Sequence, residues 1–123
     1  MARTYDLVLF GATGFTGKLV AEYLAKHATG LAWAVAGRSE AKLREVLDGI
    51  DRGSAAGGKR VGLLVADAAD AESLKRVVTA ARVVVTTVGP YAKYGQSLAR
   101  AAAEHGTHYC DITGEVPFVR RSI

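Results

Sequence analysis

The sequence predicts a doubly wound α/β domain: one parallel sheet, strand order 3-2-1-4-5, with helices on both faces. Three observations predict it. Five short apolar runs rich in β-branched residues recur along the chain, helical apolar spacings fill the intervals between them, and a glycine-rich turn joins the first run to the first helical pattern. Strict alternation returns each strand to the same sheet through a right-handed crossover, which makes the sheet parallel.

The first strand is Tyr5 to Phe10 (YDLVLF). After the glycine turn, Phe15, Leu19, Tyr23 and Leu24 recur at helical spacing, and Gly30 stands where the chain leaves that helix. The second strand is Leu31 to Ala36 (LAWAVA), with Trp33 as a packing residue, and Ser39 follows as the N-cap of a helix carrying Leu43, Val46 and Leu47. Asp48 to Lys59 (DGIDRGSAAGGK), polar and glycine-rich, reads as an exposed loop. The third strand is Val61 to Ala66 (VGLLVA); Asp70 caps a helix bearing Leu74, Val77, Val78 and Ala81. The fourth is Val83 to Val88 (VVVTTV), followed by helical Leu98, Ala102 and His105, then Gly106 and a fifth strand, Tyr109 to Ile112 (YCDI). No internal repeat interrupts this order.

Composition narrows the function classes. A chain of 123 residues, half of them apolar, fits one domain and not two. It contains no run of about 18 apolar residues to span a membrane, and its opening apolar run meets no signal-peptide cleavage pattern. Cys110 is the single cysteine and forms no internal disulfide, so the chain reads as cytoplasmic. A net charge of +4 and a pI near 9.4 raise nucleic acid as a partner. The basic residues, however, are dispersed and interleaved with Asp and Glu, without the basic stripe that nucleic-acid binding needs.

The stretch GATGFTG, residues 11 to 17, spends three of seven positions on glycine. It follows a strand and opens a helix, so its N–H groups and the positive end of the helix dipole face an anion above the sheet. A dinucleotide's diphosphate is the predicted guest. Gly11 makes the tight turn, Gly14 lets the phosphates approach, and Gly17 lets the helix pack closely on the strand, as in a Rossmann-like fold. Thr13 and Thr16 offer hydroxyl donors, and Phe15 is placed to flank the cofactor.

The cofactor's identity turns on the end of the second strand. NAD-binding folds place Asp or Glu there, roughly 20 residues past the glycines; here the chain reads AGRS. Arg38 and Ser39 supply a guanidinium and a hydroxyl suited to a 2′-phosphate, which predicts NADP(H), whereas an ordinary surface arginine is the plain alternative. Asp67 is placed either to accept from the adenine amino group, with the Ala68 backbone beside it, or to cap the next turn. In TTVGPYAKYG, the backbone of Val88, Gly89 and Pro90 is expected over the nicotinamide-side ribose, with Tyr91 and Tyr94 at the reactive end; alternatively Gly-Pro is a simple turn.

Asp111 and Glu115 form a conceivable acid/base pair, or else brace the turn and helix after the fifth strand. His105 and His108 lack a second ligand cluster, so no metal is expected. Cys110 reads as a small buried hydrophobe.

GATGFTG, AGRS, VVVTTVGPYAKYG and GTHYCDITGE, in that order, resemble the N-terminal NADP-binding domain of the saccharopine dehydrogenase-like oxidoreductases, especially the trans-acting enoyl reductases of mycobacterial lipid synthesis. The resemblance covers nearly the whole chain. It implies hydride transfer between nicotinamide and a C=C or C=N substrate, small or lipid-linked, in a full-length protein. The substrate pocket would lie in a further portion beginning near FVRRSI, residues 1–123 being the dinucleotide-binding domain alone. Isolated catalysis is not expected, and no catalytic residue is assigned.

Two rivals stand beside this reading. Short-chain dehydrogenases and sugar-nucleotide epimerases share the glycine loop but need Tyr-x-x-x-Lys. The five tyrosines here are followed four places on by Leu9, His27, Gly95, Leu98 and Thr113. A non-catalytic NADPH-binding sensor on the same fold is the other.

Overall fold

The computed structural model describes residues 4–27, 30–53, 61–67, 69–87 and 91–111; the side chains of 51–53 and 91–95 are not among what it describes. Strand and helix alternate throughout: β1 (Tyr5–Phe10), α1 (Phe15–His27), β2 (Trp33–Gly37), α2 (Glu40–Gly53), β3 (Gly62–Val65), α3 (Ala71–Ala80), β4 (Ala81–Thr86), α4 (Tyr91–Glu104) and β5 (His108–Cys110). All pairings are parallel and the sheet order is β3-β2-β1-β4-β5, as the alternation predicts. Phe10 is level with Ala36 on one side and Thr86 on the other, so the C-terminal ends of β1, β2 and β4 reach one edge together.

Side-chain alternation along β1 divides the core between the two faces. Val8 and Phe10 join Ala34, Ala36 and Val84 against Leu74, Val77 and Val78 of α3 and Leu98 and Ala102 of α4. Leu9, Trp33 and Val35 face Ala21 of α1 and Leu43, Val46 and Ile50 of α2.

The boundaries shift from those read in the sequence, each for a local reason. β2 begins at Trp33, not Leu31, because the Ala32 N–H is drawn off to the Asp6 carboxylate at 3.1 Å. Ala81 belongs to β4 rather than to the preceding helix; it is extended (φ −124°, ψ 149°) and pairs with Tyr5. The buried Thr107 hydroxyl lies against the carbonyls of Val78 and Ala81, tying the entry to β5 to this helix-to-strand turn. β3 is trimmed to Gly62–Val65 and β5 starts at His108. The predicted ends of β4 and β5, Val88 and Ile112, lie outside the described residues. The N-caps hold: Asp70 accepts from the Glu72 N–H, and Ser39 Oγ accepts from the Lys42 N–H at 3.3 Å.

Three expectations are corrected. Residues 48–53 are helical, because Ile50, 6% exposed, continues the apolar row of Leu43 and Val46; residues 54–60 lie outside the described set. In α1 the predicted apolar row is largely exposed, Phe15 at 83%, Leu19 at 52% and Tyr23 at 63%, and only Leu24 of the four packs toward the core. The sheet-facing row is Gly17 and Ala21, one helical turn apart, because the helix backbone lies too close to the loop for larger groups. Cys110 is exposed, not buried. Tyr109 packs against the α3–α4 cluster, so alternation aims Cys110 at the other face, where α1 and α2 pack on β1, β2 and β3 instead.

The extension of α2 carries a prediction. Gly49 is exposed in mid-helix, and a Cβ there would meet nothing within 4 Å. Gly49→Ala should therefore stabilise the protein by about 0.5–1 kcal/mol through reduced unfolded-state entropy. Thermal unfolding would show a small rise in Tm if the helix passes through residue 49, and a loop there would give none.

Candidate cofactor-binding site

At the C-terminal edge of the sheet the two central strands part. β1 feeds α1 on one face, β4 leads toward α4 on the other, and the crevice between them is the switch point where ligands bind in open α/β sheets. The floor of the crevice is the glycine turn. Gly11 adopts φ 93°, a left-handed conformation that a side chain disfavours, while its N–H still reaches the Ala36 carbonyl at 2.9 Å. Its carbonyl accepts from the Gly14 N–H at 3.3 Å, and the Gly14 carbonyl receives the Lys18 N–H at 2.9 Å as α1 opens.

Gly17 answers why this stretch needs bare backbone. A Cβ placed on it would overlap the Gly11 carbonyl oxygen and stand 2.8 Å from Ala12 Cα. Gly14 is exposed, and the nearest atom to a Cβ there is the Gly11 oxygen at 3.7 Å, so the space above the loop is open. Among the described residues no carbonyl accepts from the N–H groups of Thr13, Phe15 or Thr16. Those donors, with the helix dipole behind them, leave an electropositive cradle at the mouth. The side chains of Phe15 and Thr16 are exposed beside it, and Thr13 is half-buried.

The second wall is the exit of β2. Gly37 is buried with its carbonyl accepting from Ala66 N–H at 2.8 Å, and the next residue, Arg38, is exposed. Among the described residues no carboxylate pairs with Arg38; the neighbouring Glu40 is taken by Arg44 at 2.8 Å. Ser39 carries the cap of α2, its Oγ accepting from the Lys42 N–H, so the hydroxyl keeps a proton that it can donate. Arg38, with no carboxylate partner among the described residues, and Ser39 thus adjoin in sequence at the N-terminus of α2.

Asp67 follows β3 in a braced turn. Its carboxylate accepts from Ala69 N–H at 2.9 Å, its own N–H donates to Ser73 Oγ at 3.0 Å, and the nearly buried Ser73 hydroxyl lies 2.9 Å from the Asp70 carbonyl. Of the two roles open in the sequence, this geometry displays the turn cap. Ala68, Val88, Gly89 and Pro90 lie outside the described residues, as does Glu115. Tyr91 opens α4 and Tyr94 lies within it, neither side chain being among those described. Asp111 directly follows β5, His105 follows α4, and His108 begins β5, exposed.

Sequence reasoning passed over Thr87 and Ser73. Thr87 sits where β1 and β4 part, donating its N–H to the Phe10 carbonyl at 3.1 Å and its hydroxyl to the Gly11 carbonyl at 3.2 Å. The signal available was a hydroxyl residue at the exit of an apolar strand, in TTVGP.

The profile of the saccharopine dehydrogenase NADP binding domain matches residues 7–122. This chain belongs to that family. Its cofactor is therefore NADP, and the resemblance carried by GATGFTG, AGRS and VGPYAKYG is confirmed. Among curated relatives, a trans-acting enoyl reductase of Mycobacterium ulcerans is 46% identical over 121 residues, 98% of this chain and 28% of the relative. A lipid droplet localized protein of Caenorhabditis elegans is 44% identical over 119 residues, again 28% of the relative. The chain thus spans less than a third of the relatives it matches.

Among solved structures, saccharopine dehydrogenase (L-Glu forming) from Saccharomyces cerevisiae superposes with TM-score 0.76 at 18% identity, covering 95% of this chain and 23% of that one. A short-chain dehydrogenase/reductase from Veillonella parvula in complex with NADP gives TM-score 0.68 at 18% identity, over 89% of this chain and 48% of that one. These distant likenesses establish the fold. No helix among the described residues is long and apolar enough to cross a membrane. The worm relative's name places it on lipid droplets, a location that the cytoplasmic expectation did not include.

Proposed function

We propose that this chain is the cofactor-holding domain of an NADPH-dependent oxidoreductase that reduces a C=C or C=N bond of a small or lipid-linked substrate. The residues present fit the cofactor: Gly17 leaves the loop and helix in contact, Gly14 opens the space above them, and the first turn of α1 offers N–H donors with no carbonyl acceptor among the described residues. NADPH, when bound, supplies the hydride. This chain's residues grip and orient it. Backbone donors of Thr13, Phe15 and Thr16 hold the diphosphate, Arg38 and the Ser39 hydroxyl take the 2′-phosphate, and Asp67 with Ala68 borders the adenine. Val88, Gly89, Pro90 and Tyr91 line the nicotinamide side.

The observation that carries the cofactor preference is Arg38: an exposed guanidinium with no carboxylate partner among the described residues, in the place where a 2′-hydroxyl binder carries an acid. The relatives' names support the reaction class. Titrating the purified chain with NADPH and with NADH, followed by cofactor fluorescence, tests the reading. Saturable binding that favours NADPH is expected, and equal or absent binding of both would overturn it. For the full-length protein, NADPH oxidation on enoyl or imine substrates supports the reductase, whereas tight binding without turnover on any of them marks a sensor.

A further inference from the structure

We propose that Thr87 is a positioning residue for the cofactor loop: its hydroxyl clamps the Gly11 carbonyl to the exit of β4 and so fixes the turn that receives the diphosphate. The proposal rests on the reading of residues 11–17 as the diphosphate site and deepens it.

Three parts of the protein converge on one oxygen atom. The Gly11 carbonyl accepts from Gly14 N–H within the loop and from Thr87 Oγ1 at 3.2 Å, across 76 residues of sequence. It is also the atom that a side chain at Gly17 would strike, so it marks the closest approach of α1 to the strand end. Thr87 cannot swing away from it easily, because its own N–H is held by the Phe10 carbonyl at 3.1 Å and the residue is half-buried.

The physical need for such a clamp follows from the glycines. A turn built on Gly11, at φ 93°, with Gly14 and Gly17 close by has more accessible backbone conformations than a turn of ordinary residues. A trans peptide is planar, so rotating the Gly11 carbonyl also rotates the Ala12 N–H on the opposite side of the same unit. Holding that oxygen with a donor from β4 removes this freedom before any ligand arrives, which lowers the ordering cost of binding. Thr87 needs to touch no cofactor atom to do this.

The test compares Thr87→Val, which keeps the shape and removes the donor, with Thr87→Ser, which keeps the donor. NADPH and NADH affinities are measured for each, together with amide hydrogen exchange of the ligand-free chain. Thr87→Val should bind both cofactors roughly fivefold more weakly, since the diphosphate is common to them, and Thr87→Ser should stay within about twofold of the parent. In Thr87→Val, exchange should quicken at Gly14 and Lys18 while the central amides of β1 and β4 are unchanged. Failure of the parent to bind either cofactor would sink the diphosphate reading, and loop exchange would still decide the clamp. Unchanged loop exchange in Thr87→Val, no rescue by serine, or faster exchange spread over the whole sheet would each overturn the proposal.

Discussion

Gly17→Ala is expected to lower the melting temperature by roughly 10 °C and to abolish measurable NADPH binding. The added methyl overlaps the Gly11 carbonyl oxygen and sits 2.8 Å from both the Gly11 carbonyl carbon and Ala12 Cα. All three are backbone atoms at a strand end, which cannot rotate aside as a flexible side chain would. Relief requires α1 to move off the sheet. That movement loosens the contact of Ala21, which is fully buried, and pulls the first turn of the helix away from the loop it continues. Overpacking of this kind destabilises by about 3 kcal/mol, which for a domain of this size corresponds to the stated shift. Binding suffers beyond stability because the displaced donors are those of the cradle. Gly49→Ala, the same chemical change in open space, should act in the opposite direction, so the pair separates a steric effect from a general intolerance of alanine. Calorimetry and a cofactor titration on both variants check it; a Gly17→Ala protein with parental Tm and affinity would contradict the close approach.

Arg38→Ala should weaken NADPH binding about tenfold and leave NADH binding unchanged. A charge-assisted contact to phosphate lies in the range of roughly tenfold to a hundredfold in affinity. Arg38 is exposed, and water and salt screen it, which selects the low end. The discrimination should shrink further as ionic strength rises. Arg38→Lys should recover part of it, keeping the charge and losing the planar fork. Parallel titrations at two salt concentrations provide the measurement. Equal losses for NADPH and NADH would assign Arg38 to the fold or to the diphosphate instead of the 2′-phosphate.

Much of the site was legible because its signals are local. Gly11, Gly14 and Gly17 lie within seven residues, and the strand before them and helix after them are visible as changes of period. AGRS is informative for the same reason: the missing acid and the present arginine stand at the end of a readable strand. The ambiguity at Asp67 was real in the sequence. Its carboxylate suits a turn or a ligand equally well by spacing; in the fold it accepts from the Ala69 N–H, while the Ser73 hydroxyl meets the Asp67 backbone.

The sequence by itself determined the alternation of strands and helices, the strand order, the glycine turn and the family, because apolar period, capping residues and motif spacing are properties of short neighbouring stretches. Only the tertiary structure decided which side of each element is covered. The Phe15, Leu19 and Tyr23 row looks core-facing by its spacing, yet it faces outward because Gly17 and Ala21 are the residues small enough to meet the sheet. Cys110 is apolar enough to be buried, and alternation in β5 exposes it. The bond from Thr87 to Gly11 joins two halves of the chain. Period is fixed by the backbone geometry of one segment, whereas burial and long-range bonds depend on which other segment arrives opposite, and that information is not written in either segment alone.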